Sequence, residues 1–248
     1  MSKDTVVLTA SSGAFPALAA ALAQVSIQLE TRPLLSFEPP ADWDPLDRAL
    51  AQRHDYQAVA LTSPRAAQAF GERIDACRIT WDLTAPAVWV VGSTTEGALR
   101  GRAPVRKPNT LGRSGEAGAA ALARAMVNAG VGSPVLFPCG DRRRDELPEL
   151  LHSHRIRVDE VVCYRSVLAS REEARAAVTG RTVVIVASPS VAALLAEVSE
   201  GSSRPRLVAI GSTTAEAARR AGWPPAAVAA EPSTSALASA ITGLLATR

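Results

Sequence analysis

Residues 61–67 read LTSPRAA and residues 186–192 read VASPSVA. Each stretch is followed by a second similar one, VGSTT at residues 91–95 and IGSTT at residues 210–214. The offsets are 188 − 63 = 125 residues for the serines and 211 − 92 = 119 residues for the glycines. A repeating unit of this size is far longer than the roughly 20–50 residues of a solenoid repeat. The repeat therefore predicts two similar lobes, each with two polar turns.

Short aliphatic segments precede these turns and alternate with longer segments rich in alanine and leucine. Continuous apolar runs, such as VVIV at residues 183–186, are typical of strands that helices cover on both faces. The alternation predicts an α/β fold in which each lobe is a parallel sheet flanked by helices. We expect strands at residues 5–9, 57–62, 87–91, 134–138, 182–187 and 206–210.

Helix ends are marked by serine, proline and glycine. The Ser-Pro pairs at residues 63–64 and 188–189 predict helix starts, because serine caps a helix and proline suits its first position. Helices should end at Gly130, Gly180 and Gly222.

Two extended segments interrupt the alternation of strands and helices. Prolines crowd residues 32–44, and residues 158–168 are rich in valine. We predict that the chain crosses between the lobes at these segments through a two-strand linker. Residues 1–35 and 166–248 would then form one discontinuous lobe and residues 36–165 the other, with a cleft between them.

The repeated turns are candidate anion-binding sites. In open α/β sheets ligands bind beyond the carboxyl ends of the strands, where helix N-termini present unpaired N–H groups. Helix capping alone is the alternative interpretation of each turn. The candidate binding residues of the turns are Ser63, Ser93, Thr94, Ser188, Pro189, Ser190, Ser212, Thr213 and Thr214, and all four turns are expected to face one gap.

Two further features could carry chemistry. A strand ends at Gly140, which we count with Arg144 among the candidate substrate-binding residues. Residues 142–144 are three arginines that could bind carboxylates. Alternatively, Asp141 caps the next helix and the arginines pair with residues 145 and 146. Tyr164, in the second extended segment, could donate a hydrogen bond or a proton, or could be a packing residue.

Composition and motif content argue against several classes of function. The formal net charge is +3, but the basic residues are scattered and aromatic residues make up 4%, so no nucleic-acid surface is indicated. Charged residues interrupt the apolar stretches, which argues against a membrane span, and a strand rather than a leader peptide is expected at the start. The three cysteines lie far apart, which indicates neither disulfides nor a metal site and fits a reducing cytoplasm. The chain has no nucleotide-phosphate, dinucleotide or metalloprotease motif.

These features, taken in order, resemble the uroporphyrinogen-III synthase family. The resemblance spans residues 57–245 and is carried by residues 62–65, 91–95, 138–151, 158–165, 188–190 and 210–214. It implies two α/β lobes and a cofactor-free lyase of heme biosynthesis that closes hydroxymethylbilane, a linear tetrapyrrole, into uroporphyrinogen III with inversion of ring D. Spontaneous closure gives isomer I, so the enzyme's main task is to orient the chain.

The resemblance also implies roles for individual residues. Tyr164 corresponds to the family tyrosine proposed to assist departure of the substrate hydroxyl, and Thr213 and Thr214 correspond to threonines of the family's cleft. The turns that face the substrate in the family contain Ser63, Pro64, Arg65, Thr94, Ser188 and Ser190. Two positions depart from the family pattern, because Ala10 and Cys139 stand where basic residues are common.

The resemblance further implies a small-molecule tetrapyrrole as the partner, received by transient hand-over from the enzyme that forms hydroxymethylbilane. We expect a cytoplasmic monomer that binds neither nucleic acid nor membrane and holds no metal. Three alternatives stay open at this point: a non-catalytic bilobed binding protein for a polycarboxylate, a diverged synthase paralogue, and a helix-rich interaction scaffold.

Overall fold

A computed structural model describes residues 4–11, 13–25, 27–107, 118–199 and 204–246. Its strands are β1 (Thr5–Leu8), β2 (Gln28–Thr31), β3 (Leu35–Glu38), β4 (Ala58–Leu61), β5 (Ala87–Val90), β6 (Val105–Arg106), β7 (Val135–Gly140), β8 (Val158–Leu168), β9 (Val183–Val186), β10 (Arg206–Ala209) and β11 (Ala227–Val228). Its α-helices are α1 (Leu18–Ala23), α2 (Asp44–Ala51), α3 (Pro64–Ala76), α4 (Ser93–Leu99), α5 (Ala119–Asn128), α6 (Glu146–Ser153), α7 (Arg171–Val178), α8 (Pro189–Val198), α9 (Ser212–Arg220) and α10 (Thr234–Ala246).

The chain divides into two compact units. Unit 1 comprises Met1–Ser36 and Val167–Arg248, and unit 2 comprises Phe37–Ser166. The strands β3 and β8 each run across a boundary between the units. The α/β class predicted from the sequence is confirmed.

Unit 1 contains a five-stranded sheet with the order β11-β10-β9-β1-β2, and its strand pairs are parallel. The alternation of side chains along β9 explains why its whole apolar run is buried. Val184 and Val186 pack into a core with α7, α8 and α9, whereas Val183 and Ile185 pack into a second core with α1 and α10. Helices therefore cover both faces of this strand.

Unit 2 contains a six-stranded sheet with the order β3-β8-β7-β4-β5-β6. Its central strand β4 is fully buried. Val59 and Leu61 pack with α2, α3 and α4, and Ala58 and Ala60 pack with α5 and α6. The same two-sided burial thus recurs in the second unit.

The six strands predicted from the sequence are present, and the structure adds others. The proline-rich segment contains β3, and the valine-rich segment forms the long strand β8. The sequence interpretation missed β2, a short strand whose polar residues are partly exposed. Within the described ranges, no helix combines the length and apolar character needed to cross a membrane.

Candidate functional site

Polar residues of unit 2 lie where the adjacent strands β7, β4 and β5 end, and on the neighbouring strand β8 beside the end of β7. The strands β8, β7, β4 and β5 are neighbours in this order and run parallel. Gly140, at the end of β7, pairs with Tyr164 of β8. Ser63 lies two residues beyond the end of β4, and Gly92 lies two residues beyond the end of β5. A hydrogen bond of 3.2 Å from Val91 N–H to the Leu61 carbonyl keeps the last two turns adjacent. The predicted placement of both turns at carboxyl ends is confirmed.

Ser63 both caps a helix and interacts with the tyrosine. Its Oγ accepts a hydrogen bond from Ala66 N–H at 3.1 Å, and Pro64 occupies the first position of α3. The predicted cap is therefore confirmed for this turn. The Ser63 hydroxyl also lowers the pKa of the Tyr164 phenol, so capping is not its only interaction.

The ring of Tyr164 occupies space that only a glycine on the neighbouring strand leaves open. A Cβ atom at Gly140 would lie 2.5 Å from Tyr164 Cζ, 2.6 Å from Cε2 and 2.7 Å from the hydroxyl oxygen. Real Cβ atoms do not approach a ring this closely. Gly140 therefore has a definite local role, which is to admit the phenol.

An aromatic and a basic side chain complete this cluster. The ring of Phe37, on β3, lies edge-on to Tyr164 with centroids 5.9 Å apart and an interplanar angle of 66°. The guanidinium carbon of Arg65 lies 3.4 Å from the centroid of the Phe37 ring. These three side chains also line a groove of about 190 Å³ beside α3.

The electrostatics of the cluster favour a protonated phenol. Burial raises the pKa of Tyr164, and this effect outweighs the lowering caused by the Ser63 hydroxyl and by the Arg65 charge. The phenol is therefore protonated near neutral pH and has a hydrogen to donate. Burial lowers the pKa of Arg65, but a guanidinium remains charged in proteins.

The neighbouring cysteines contribute no charge. Burial raises the pKa of the Cys139 thiol to about 12 and also raises the pKa of Cys163. Both thiols are therefore neutral near pH 7. Cys139 therefore offers no cation to a carboxylate.

The remaining predicted residues of unit 2 are placed differently from one another. Ser93 and Thr94 are exposed in the first turn of α4, after Gly92 with its positive φ of 97°. Arg144 is exposed, and its Nη1 lies 3.7 Å from Glu146 Oε1. Asp141 does not cap α6, contrary to the alternative drawn from the sequence, because its carboxylate accepts a bond from Ser166 N–H at 2.9 Å. The residue at the N-cap of α6 is Asp145, to which Arg143 is ion-paired.

In unit 1 the two repeated turns follow β9 and β10, which are adjacent and parallel. The Ser188 and Ser190 hydroxyls are hydrogen-bonded to each other at 2.8 Å, and Ser188 makes no side-chain cap. Pro189 begins α8 and is exposed, as are Ser212 and Thr213 in the first turn of α9. Thr214 is buried, because the helical period places it on the inner side of α9 with Ala215 and Ala218.

Thr9, at the end of β1 in unit 1, is turned inward. Its N–H and its hydroxyl both donate to the Ile185 carbonyl, at 3.1 and 2.8 Å. The next residue, Ala10, is buried and has no polar side chain. That the four repeated turns face one gap stays a prediction, as do the binding roles of their residues.

Phe37 is the residue of this cluster that the sequence interpretation missed. It lies in the proline-rich segment, and an isolated phenylalanine in an extended stretch gives no signal that distinguishes it from a packing residue. In the described part of the chain, no cluster of three or more histidine, cysteine, aspartate or glutamate residues could hold a metal ion. His152 and His154, at the end of α6, are both exposed.

Comparison with known proteins identifies a family. The family model described as uroporphyrinogen-III synthase HemD matches residues 16–239 of the chain. A uroporphyrinogen-III synthase from Synechococcus elongatus is 28% identical over 166 residues. This alignment covers 65% of the chain and spans 60% of the length of that relative.

Solved structures with the same fold carry the same name. The uroporphyrinogen-III synthetase from Helicobacter pylori has a TM-score of 0.66 and 18% identity, with 99% of this chain and 100% of that chain covered. A mutant uroporphyrinogen III synthase from Thermus thermophilus has a TM-score of 0.64 and 17% identity, with the same coverage of 99% and 100%. At these identities the likeness shows a shared fold.

Proposed function

We propose that this chain, which belongs to the uroporphyrinogen-III synthase family, closes hydroxymethylbilane into uroporphyrinogen III with loss of water. The observation that carries the proposal is the side chain of Tyr164, which lies beside the carboxyl end of β7 and lines one groove with Arg65. Ligands bind at this end of parallel sheets, which supports the proposal that the phenol contacts the substrate.

In the proposed reaction Tyr164 gives its proton to the departing hydroxyl of the substrate. The C–O bond breaks, water leaves, and the electron pair of the pyrrole nitrogen forms an electrophilic azafulvene. The substituted carbon of the last ring attacks it, and the resulting spiro intermediate fragments and recloses with that ring inverted. The ring carbon that forms the final bond loses its proton, and one proton returns to the phenolate, so the net change is the loss of one water.

The other residues of the turns are proposed to hold the substrate rather than to react with it. Arg65 and the helix N-termini can bind carboxylates, through charge and through unpaired N–H groups. Exposed hydroxyls such as those of Thr94 and Thr213 can add hydrogen bonds. Binding of this kind restricts the conformations of a flexible linear chain, which is what selects isomer III over spontaneous closure to isomer I.

The test supplies freshly made hydroxymethylbilane and measures the ratio of isomer III to isomer I. We expect mainly isomer III; a ratio equal to that of the enzyme-free control would refute the synthase proposal. Retention of the ligand with that control ratio would instead support a non-catalytic binding protein for a polycarboxylate.

Tyr164→Phe tests the role of the phenol, and the chain has one other tyrosine, Tyr56, that serves as a matched control. We expect Tyr164→Phe to lower kcat about 100-fold, the scale of general acid catalysis, with little change in Tm. Tyr56→Phe should leave kcat unchanged. If Tyr164→Phe lowers Tm while turnover per folded molecule is kept, the tyrosine is a packing residue.

We further propose that the protein works as a monomer in the cytoplasm and receives its substrate from the enzyme that forms hydroxymethylbilane. All three cysteines are free thiols, which agrees with a reducing compartment. Binding of nucleic acid or of a membrane forms no part of the proposal, and neither does a cofactor.

A further inference from the structure

Phe37 contacts both Arg65 and Tyr164. The Arg65 guanidinium carbon lies 3.4 Å from the centroid of the Phe37 ring. The Phe37 and Tyr164 rings pack edge-on with their centroids 5.9 Å apart. Phe37 and Gly140 lie on β3 and β7, the two strands that flank β8 in the sheet. The phenol ring is therefore bounded on both sides, by a glycine on one strand and by an aromatic ring on the other.

Arg65 is held by an aromatic face and not by an acid. Among the residues that the structure describes, no carboxylate lies within ion-pair distance of its guanidinium. The two acidic residues that line the same groove have other partners: Glu38 pairs with Arg165 at 3.2 Å, and Glu72 accepts a bond from Gln68 at 2.8 Å.

This mode of attachment has an electrostatic consequence. A carboxylate would hold an arginine but would cancel its field, whereas an aromatic face attracts the cation and leaves its full charge. The Arg65 charge lowers the pKa of Tyr164, against the burial that raises it. The other groups that face the phenol are the Ser63 hydroxyl and the neutral thiols of Cys139 and Cys163.

We propose that Phe37 is a positioning residue for Tyr164, which holds the Arg65 guanidinium beside the phenol without neutralising it and, opposite Gly140, fixes the plane of the phenol ring. This inference rests on the proposed function, because it gives the phenol the charge and the orientation that a proton donor needs. Phe37 is half-buried and belongs to none of the four buried core clusters, so its ring is not needed to fill the interior.

A double-mutant cycle on the titration of Tyr164 tests the inference without substrate. In a Tyr56→Phe background Tyr164 is the sole tyrosine, so ultraviolet absorbance of the phenolate reports its pKa alone. We expect Phe37→Leu to raise this pKa, since the guanidinium is released towards solvent. In an Arg65→Gln background the same substitution should cause no further rise.

Matched variants separate the aromatic face from side-chain bulk. Phe37→Trp keeps a face for the cation and should retain the parent pKa, whereas Phe37→Met, like Phe37→Leu, should raise it. In the synthase assay Phe37→Leu should lower kcat about tenfold with KM within about twofold, and Phe37→Trp should recover most of the loss.

An unchanged pKa in Phe37→Leu and Phe37→Met, or an equal rise with and without Arg65, would overturn the inference. Because the titration uses no substrate, its outcome is independent of whether the parent chain makes isomer III. Failure of the synthase proposal and failure of the Phe37 inference are therefore distinguishable.

Discussion

At the scale of single residues, Gly140 and Tyr164 form a matched pair on neighbouring strands. The missing side chain of one makes room for the ring of the other. A packed interior has few gaps that could absorb an added methyl group at this point. The orientation of the phenol therefore depends on a residue that carries no chemistry of its own.

We predict that Gly140→Ala displaces the Tyr164 ring. The added Cβ would lie 2.5 Å from the ring, so the ring must shift. We expect this shift to lower the free energy of unfolding by about 1–3 kcal/mol and to lower kcat at least about tenfold. Gly243→Ala makes the same chemical change in α10, where an added Cβ has no neighbour within 4 Å, and should stabilise by about 0.5–1 kcal/mol. Urea denaturation and steady-state kinetics measure both; parent-like kcat and stability in Gly140→Ala would show that the ring is not confined there.

The sequence identified some residues of this cluster and not others, for a physical reason. Ser63 and Gly140 stand at the ends of apolar runs, where turn chemistry is local and can be read along the chain. Phe37 acquires its role from β8 and α3, which lie far from it in sequence. An aromatic side chain in an extended segment can pack against many different elements, so the sequence alone does not predict its contacts with β8 and α3.

At the scale of elements, four helices end in the same hydrogen-bond pattern with different residues. After α5 and α9 the left-handed position is occupied by Gly130 and Gly222, with φ of 69° and 74°. After α3 and α6 it is occupied by Arg78 and Arg155, with φ of 53° and 61°. In each case the N–H of the residue after the left-handed position donates to a carbonyl of the last helical turn, at 2.9–3.0 Å. At the end of α9, for example, Trp223 N–H donates to the Ala218 carbonyl at 2.9 Å.

This difference explains which helix ends the sequence predicted. The stops at Gly130, Gly180 and Gly222 are confirmed, because glycine is favoured at positive φ and so marks the position. Arg78 and Arg155 give no such signal. Their helices end there because backbone bonds and a following apolar residue impose the turn, at a conformational cost that arginine tolerates.

We predict that Arg155→Gly stabilises the protein by about 0.5 kcal/mol, since relief of the left-handed strain outweighs the added chain entropy of glycine. The reverse change at the equivalent position, Gly222→Ala, should destabilise by about 1 kcal/mol. An added Cβ at Gly222 has no neighbour within 4 Å, so that cost comes from the backbone alone. Urea titration measures the free energy of unfolding of both variants. A loss of stability in Arg155→Gly would mean that contacts of the arginine side chain stabilise the protein by more than the left-handed backbone destabilises it.

At the scale of the molecule, the repeated turns of the sequence correspond to two sheets built alike. In each sheet a central strand is buried on both faces, and a Ser-Pro turn follows it. The continuous apolar character of the strand segments was sufficient to predict this layout. It was insufficient to predict β2 and the long pairing of β8, because those strands carry polar residues on partly exposed faces.

The continuity of unit 2 leads to a prediction about independent folding. Residues 37–166 form one uninterrupted segment with its own apolar cores, whereas unit 1 is assembled from two segments. We expect a fragment of residues 35–168, which keeps β3 and β8 whole, to fold alone and to unfold cooperatively on heating, as monitored by circular dichroism.

A second fragment and an activity measurement make this prediction decisive. A fragment of residues 35–157 lacks β8, which lies between β3 and β7 and supplies Val161 and Cys163 to the core, so it should lose the cooperative transition. The folded 35–168 fragment contains Tyr164 but not the turns at Ser188 and Thr213, which we propose also bind substrate. It should therefore give the isomer ratio of the enzyme-free control. A fragment that melts without cooperativity would contradict the independence of unit 2, and one that makes mainly isomer III would show that the turns of unit 1 are not needed to orient the substrate.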